Sequence, residues 1–91
     1  MLIVVSYDVV DDKRRSKLAK ELLNFGTRVQ YSVFECDLTS RQITELKKRA
    51  RKWIKPREDS LRIYRLCEYC SQNIDSYGIK KGWEEKEVIV V

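Results

Sequence analysis

The N-terminal run Leu2-Ile3-Val4-Val5, continued by Ser6-Tyr7-Asp8-Val9-Val10, constrains the fold more than any other stretch. It is short, apolar and mostly β-branched, which specifies a strand rather than a helix. Strand side chains alternate between faces, so apolar residues at both parities require a sheet covered on both sides. A chain of 91 residues makes one domain, residues 1–91, whose helices can cover one face. Something else must cover the other, and a domain this small gains from burial against a partner.

Downstream, Asp11 and Asp12 precede a helical stretch from about Lys13 to Phe25, and either aspartate can cap it. Leu18, Leu22 and Phe25 form its apolar stripe, and Gly26 is a natural C-terminal stop. Val29 to Asp37 reads as a second strand or a hairpin-like pair. Thr39 to Gln42 carries the capping-box pattern, and Ile43, Leu46, Ala50 and Trp53 repeat at helical spacing until Pro56. Ser60 to Leu66 is a third strand, and Cys67 to Gly82 is polar and irregular with turns at Tyr77-Gly78 and Lys81-Gly82. The apolar end, Val88 to Val91, predicts a last strand over about 86–91. An exposed apolar edge invites aggregation, so that strand is expected to be added to another sheet, that of a second protomer. The simplest closed arrangement is an α/β (α+β) sandwich of ferredoxin-like order, β-α-β-β-α-β, with an extra C-terminal strand.

With 43% hydrophobic and 36% charged residues the chain is globular rather than disordered. Its net charge of +5 points to an anionic partner, nucleic acid being the commonest, although a basic domain with no such role has the same charge. The sequence has no histidine, which removes the usual general base and nucleophile pairs and leaves carboxylates or a metal for any hydrolysis. No leader-like segment precedes the three cysteines, so a reducing cytoplasm is expected, and no apolar run reaches membrane-spanning length.

Four constellations bear on chemistry. Asp8, ending the first strand, is either a turn residue or a hard-metal ligand; a two-fold dimer would turn one aspartate per chain into a facing pair that needs a cation or a shared proton. Gly26-Thr-Arg-Val-Gln-Tyr-Ser-Val-Phe-Glu35 combines cationic, polar and aromatic side chains; Tyr7 and Phe34 serve equally as core aromatics, and Glu35 is a second metal ligand or, more in keeping with its type, a surface residue. Lys13, Arg14, Arg15 and Lys17 on the first helix, and Arg41, Lys47, Lys48, Arg49, Arg51, Lys52, Lys55 and Arg57 on or after the second, form basic clusters. Each cluster is a solvated face or a phosphate-binding one. Lys48, Arg51 and Lys52 are the leading candidates for duplex contact. Cys67-Glu-Tyr-Cys70 follows a strand, whereas a redox CxxC opens a helix, so these cysteines are expected to be incidental.

Tyr7-Asp8, the run Arg28-Val29-Gln30-x-Ser32-Val33-Phe34-Glu35, and Ile63-Tyr64-x-Leu66 together resemble the small CRISPR-associated family that partners the spacer integrase. The resemblance implies a homodimer of ferredoxin-like protomers with the two Asp8 residues near the dimer axis around Mg²⁺. It also implies that Arg15 and Arg28 meet the phosphate backbone, that Tyr7 precedes the metal ligand, and that Phe34 supports the site or stacks near it. Lys17 stands where relatives carry arginine and lacks the bidentate fork. Family members are described as Mg²⁺-dependent endonucleases on RNA or DNA and as structural adaptors of the integrase complex. A toxin-type ribonuclease of similar fold is a third reading.

Overall fold

The computed structural model describes residues 1–79. The strand expected over 86–91 and the Lys81-Gly82 turn lie outside the described residues. Strand β1 (Leu2–Asp8) is followed by helix α1 (Asp12–Leu23), strands β2 (Thr27–Gln30) and β3 (Val33–Asp37), helix α2 (Ser40–Arg51), strand β4 (Ser60–Leu66) and a short helix α3 (Glu68–Ser71). The four strands form one sheet in the order β2-β3-β1-β4. Each neighbouring pair is antiparallel, and Val5 stands opposite both Phe34 and Ile63.

The apolar N-terminal run thus becomes an inner strand. Its odd residues Ile3, Val5 and Tyr7 pack with Phe34 and Cys36 beneath the helices, against Leu18 and Leu22 of α1 and Ile43, Leu46 and Ala50 of α2. Leu61 and Ile63 extend this core at the β4 edge. The even residues point the other way. Leu2 is buried where it pairs with Leu66 near α3, Val4 and Ser6 are half-buried, and Asp8 is exposed. Cover on this second face is therefore incomplete among the described residues.

Local chemistry explains the helix boundaries. Asp11 caps α1 by accepting the Arg14 N–H at 2.9 Å, and this backbone bond holds its carboxyl below the usual value. α1 ends at Asn24, two residues before Gly26, so the expected glycine stop is not what terminates it. Gly26 is required by close approach instead: a Cβ there would collide with the Glu35 carbonyl and the Cys36 sulfur. α2 has both halves of its capping box, with the Gln42 N–H bonding Thr39 and the Gln42 side chain bonding the Thr39 N–H. The hairpin-like reading of Val29–Asp37 resolves into β2 and β3 around Tyr31-Ser32.

Candidate nucleic-acid and metal site

β1 carries two consecutive candidates onto opposite faces. Tyr7 is buried on the helix side, its ring stacked on Phe34 with centroids 6.3 Å apart. Phe34 is fully buried and so acts as a support rather than a stacking surface. Above this pair sits Arg28 of β2. Its Nη2 donates to the Tyr7 hydroxyl at 3.4 Å, and its guanidinium lies 5.4 Å from the Phe34 ring centroid and 5.8 Å from that of Tyr31. Two aromatic faces and one hydroxyl thus hold the cation in place while the residue stays exposed.

Arg15 projects from the first turns of α1. Its Nη1 donates to the Val9 carbonyl at 2.7 Å and its Nη2 pairs with Asp12. These bonds tie α1 to the turn that follows Asp8. The Arg15 and Arg28 side chains line an open groove between α1 and β2, together with Asp12, Ser16, Lys20 and Tyr31. Arg15, Lys20 and Arg28 stand there against the single carboxylate of Asp12. Tyr31 is 71% exposed and offers an aromatic face at the groove's end.

Lys17 is exposed on α1 but does not line the groove. The groove's further cation is Lys20, which lies outside every motif the sequence displays. Helical spacing carries its signal, since Asp12, Ser16 and Lys20 follow one another at intervals of four and share a face. Tyr31 is legible from sequence only as a strand residue; the turn between β2 and β3 is what points its ring outward.

Asp8 occupies the other face, paired in register with Ser60. Its side chain makes no hydrogen bond or ion pair within the chain among the described residues. Glu35 shares that face but stands opposite Val4, four residues along β1, roughly 13 Å away at about 3.3 Å per residue. Asp37 is at the far end and binds the N-terminal amine at 3.1 Å. Neither carboxylate can join Asp8 on one small cation within a protomer. No group of three or more potential ligands occurs among the described residues. Asp8 and the groove nevertheless open at the same end of the sheet, because the Ser32 carbonyl beside Tyr31 accepts the Tyr7 N–H at 3.2 Å.

Two of the basic residues are structural. Arg14, expected to face water, is only 15% exposed and bonds Asp59, Glu58 at 2.9 Å and the Trp53 carbonyl at 3.2 Å. Arg49 pairs with Glu45 at 3.0 Å and Glu21 at 3.7 Å and covers the Phe25 ring. Arg41, Lys47, Lys48, Arg51 and Lys52 remain exposed along α2 and its end.

The cysteine motif also departs from expectation. Cys67 caps α3, so the CxxC does open a helix, and its Sγ accepts the Cys70 N–H at 3.4 Å.

A CRISPR-associated endoribonuclease Cas2 of Chloroflexus aurantiacus is 48% identical over 79 residues, covering 87% of this chain and 85% of that protein. A CRISPR-associated endonuclease Cas2 of Thermus thermophilus is 51% identical over 63 residues, covering 69% of this chain and 70% of its own. The crystal structure of Streptococcus pyogenes Cas2 superposes with a TM-score of 0.75 at 34% identity, covering 86% of this chain and all of that one (100%). The family model described as CRISPR associated protein Cas2 matches residues 1–74, which span every strand and helix described above. The chain therefore belongs to the CRISPR-associated Cas2 family.

Proposed function

We propose that this chain is a magnesium-dependent endonuclease of CRISPR spacer acquisition. It acts on RNA or DNA as a homodimer of ferredoxin-like protomers and works with the spacer integrase subunit. The observation that carries this reading is Asp8, an exposed carboxylate without an internal partner among the described residues, on the sheet face that α1 and α2 leave uncovered. An isologous contact through that face with its two-fold axis near Asp8 would bring the two copies of Asp8 together. The donor chemistry fits the ion, because Mg²⁺ takes one or two carboxylates and keeps several waters. When bound, Mg²⁺ supplies a nucleophilic water and stabilises charge on the scissile phosphate. Asp8 would hold the ion. Arg28 and Arg15 anchor backbone phosphates in the groove, and Tyr31 offers a face for an unpaired base. The names of the relatives, endoribonuclease and endonuclease, support the same class of reaction.

The exposed cations of α2 favour a second role, an adaptor that grips a duplex without cutting it. Asp8→Asn separates the two. The amide preserves size, so the fold should persist. For an enzyme, Mg²⁺-dependent cleavage falls on the order of 100-fold or more while duplex binding holds or tightens. For an adaptor, the purified wild type cuts negligibly and spacer integration with the integrase survives the substitution. A wild type and variant that cut equally well would remove Asp8 from the mechanism.

A further inference from the structure

The groove and Asp8 leave Cys67 and Cys70 without a role, and these two thiols differ from the third. Cys36 is buried beneath the helices, where loss of solvent pushes its thiol up to about 11. Cys67 and Cys70 are both exposed. They stand three residues apart across the opening turn of α3, with Cys67 in extended conformation (φ −70°, ψ 169°) just outside the helix. Side chains at that separation in a helix have Cβ atoms about 5–6 Å apart, against the 3.5–4.5 Å or so of a disulfide. The cap residue lies outside the helix and can turn inward by a small change in its own dihedrals. One hydrogen bond already links the two residues: Cys67 Sγ accepts the Cys70 backbone N–H at 3.4 Å.

We propose that Cys67 and Cys70 form a thiol–disulfide exchange site, with Cys67 as the attacking thiolate, Cys70 as the resolving thiol, and a low-molecular-weight disulfide such as oxidised glutathione as the oxidant. The Cys67 thiolate attacks one sulfur of the oxidant, breaks its S–S bond and releases one thiolate, which takes up a proton. Cys70 then gives up its proton and attacks Cys67 Sγ in the mixed disulfide. This forms the Cys67–Cys70 bond and releases the second small thiol. Two protein thiols are oxidised and one small disulfide is reduced to two thiols. The asymmetry of roles follows from the hydrogen bonds. Donation from the Cys70 backbone N–H and thiol lowers the Cys67 pKa, while the same interaction and the negative charge on Cys67 raise that of Cys70. This site stands apart from the nuclease reading and survives its failure.

The test uses the full-length, fully reduced chain incubated with oxidised glutathione, acid-quenched, alkylated and mapped by mass spectrometry. The expected product has shed the mass of two hydrogens, carries its new bond between Cys67 and Cys70, leaves Cys36 a thiol, and reverts with dithiothreitol. Before oxidation, Cys67 should alkylate faster than Cys70. Cys70→Ser should accumulate the glutathione adduct on Cys67. Cys67→Ser keeps a good capping residue, so it should fold, and it should form adduct on Cys70 only slowly. A persistent glutathione adduct on the wild type, cross-linked chains in place of the internal bond, or equal alkylation of Cys67 and Cys70 would each overturn the assignment.

Discussion

Arg14 and Asp59 lie 45 residues apart in sequence, yet they form the ion pair that closes one end of the helix layer. The Asp59 side chain is fully enclosed, with 0% exposure. It accepts the Lys55 N–H at 2.8 Å and the Val10 N–H at 3.1 Å as well as the guanidinium. Burial raises its pKa, but the Lys55 bond, the Arg14 bond and the Val10 bond together outweigh burial and hold it below the ordinary 3.8. A carboxylate with a lowered folded pKa contributes stability that is present above the unfolded value and lost as pH falls through the folded one. Asp59→Asn should therefore lower the thermal midpoint by on the order of 10 °C at neutral pH, since an amide cannot satisfy three donors as an anion does. The gap between variant and wild type should stay constant above about pH 5 and narrow below the ordinary aspartate value of 3.8. Thermal melts of both proteins across that range check it, and a gap independent of pH would show that Asp59 is not charged in the fold. Nothing in the sequence marks this pair. Arg14 looks like its neighbours Lys13 and Arg15, and only the return of β4 beside β1 brings Asp59 beneath it.

At the scale of elements, the legible features are those that local chemistry dictates. α2 can be placed closely because its cap and its buried stripe are both written in short-range patterns. β1 and β4 are equally plain. The end of α1 is harder to place because a glycine usually marks a helix stop, whereas here Gly26 answers to Glu35 and Cys36 of β3. α3 escapes detection because four residues carry no periodicity, and its cap is a cysteine rather than a serine or aspartate. Of the candidate site, the Arg28–Phe34 and Tyr7–Asp8 motifs are readable, but that Arg28 and Phe34 join Tyr7 rather than Asp8 depends on how the strands pair. Sequence cannot sort the basic clusters either, since burial and pairing alone separate Arg14 and Arg49 from Lys48, Arg51 and Lys52. Those last three allow a test of α2 as a duplex-binding face. Neutralisation to Gln is preferable to reversal, because acidic residues at a helix C-terminus cost about 0.3–1 kcal/mol each against the helix dipole. The plot of log affinity against log salt should flatten by about 0.9 for each phosphate no longer neutralised, so by about 2.7 if all three side chains touch the backbone. An unchanged slope would assign the footprint to the groove of Arg15, Lys20 and Arg28.

For the whole molecule, the sheet face left open among the described residues is where the fold bears on the proposed function. α1 and α2 bury the odd residues of β1, α3 lies beside the Leu2–Leu66 end of the even side, and Ile74, Tyr77 and Ile79 lie beside Val29, Gln30 and Glu35. Val4, Ser6 and Val33 remain half-buried and Tyr64 is 46% exposed on β4, with Asp8 at the rim. A second copy packed on this surface would bury these side chains and set the two Asp8 carboxylates near each other. Two such charges about 4 Å apart in water repel by about 1 kcal/mol, a factor of about five in a dissociation constant. Mg²⁺ held there would offset that repulsion, and Asp8→Asn would remove it. Sedimentation equilibrium should then show a dimer at micromolar concentration, tightened about fivefold by Mg²⁺ relative to EDTA in the wild type. The Asp8→Asn dimer should be as tight as the Mg²⁺-bound wild type and indifferent to the ion. Val4→Arg should shift either protein towards monomer while leaving its circular dichroism unchanged, because Val4 lies outside the helix-side core. A chain that stays monomeric at tens of micromolar would separate Asp8 from its mate and end the shared-metal reading. A stable dimer whose affinity ignores both Mg²⁺ and Asp8→Asn would keep the interface but move the metal elsewhere.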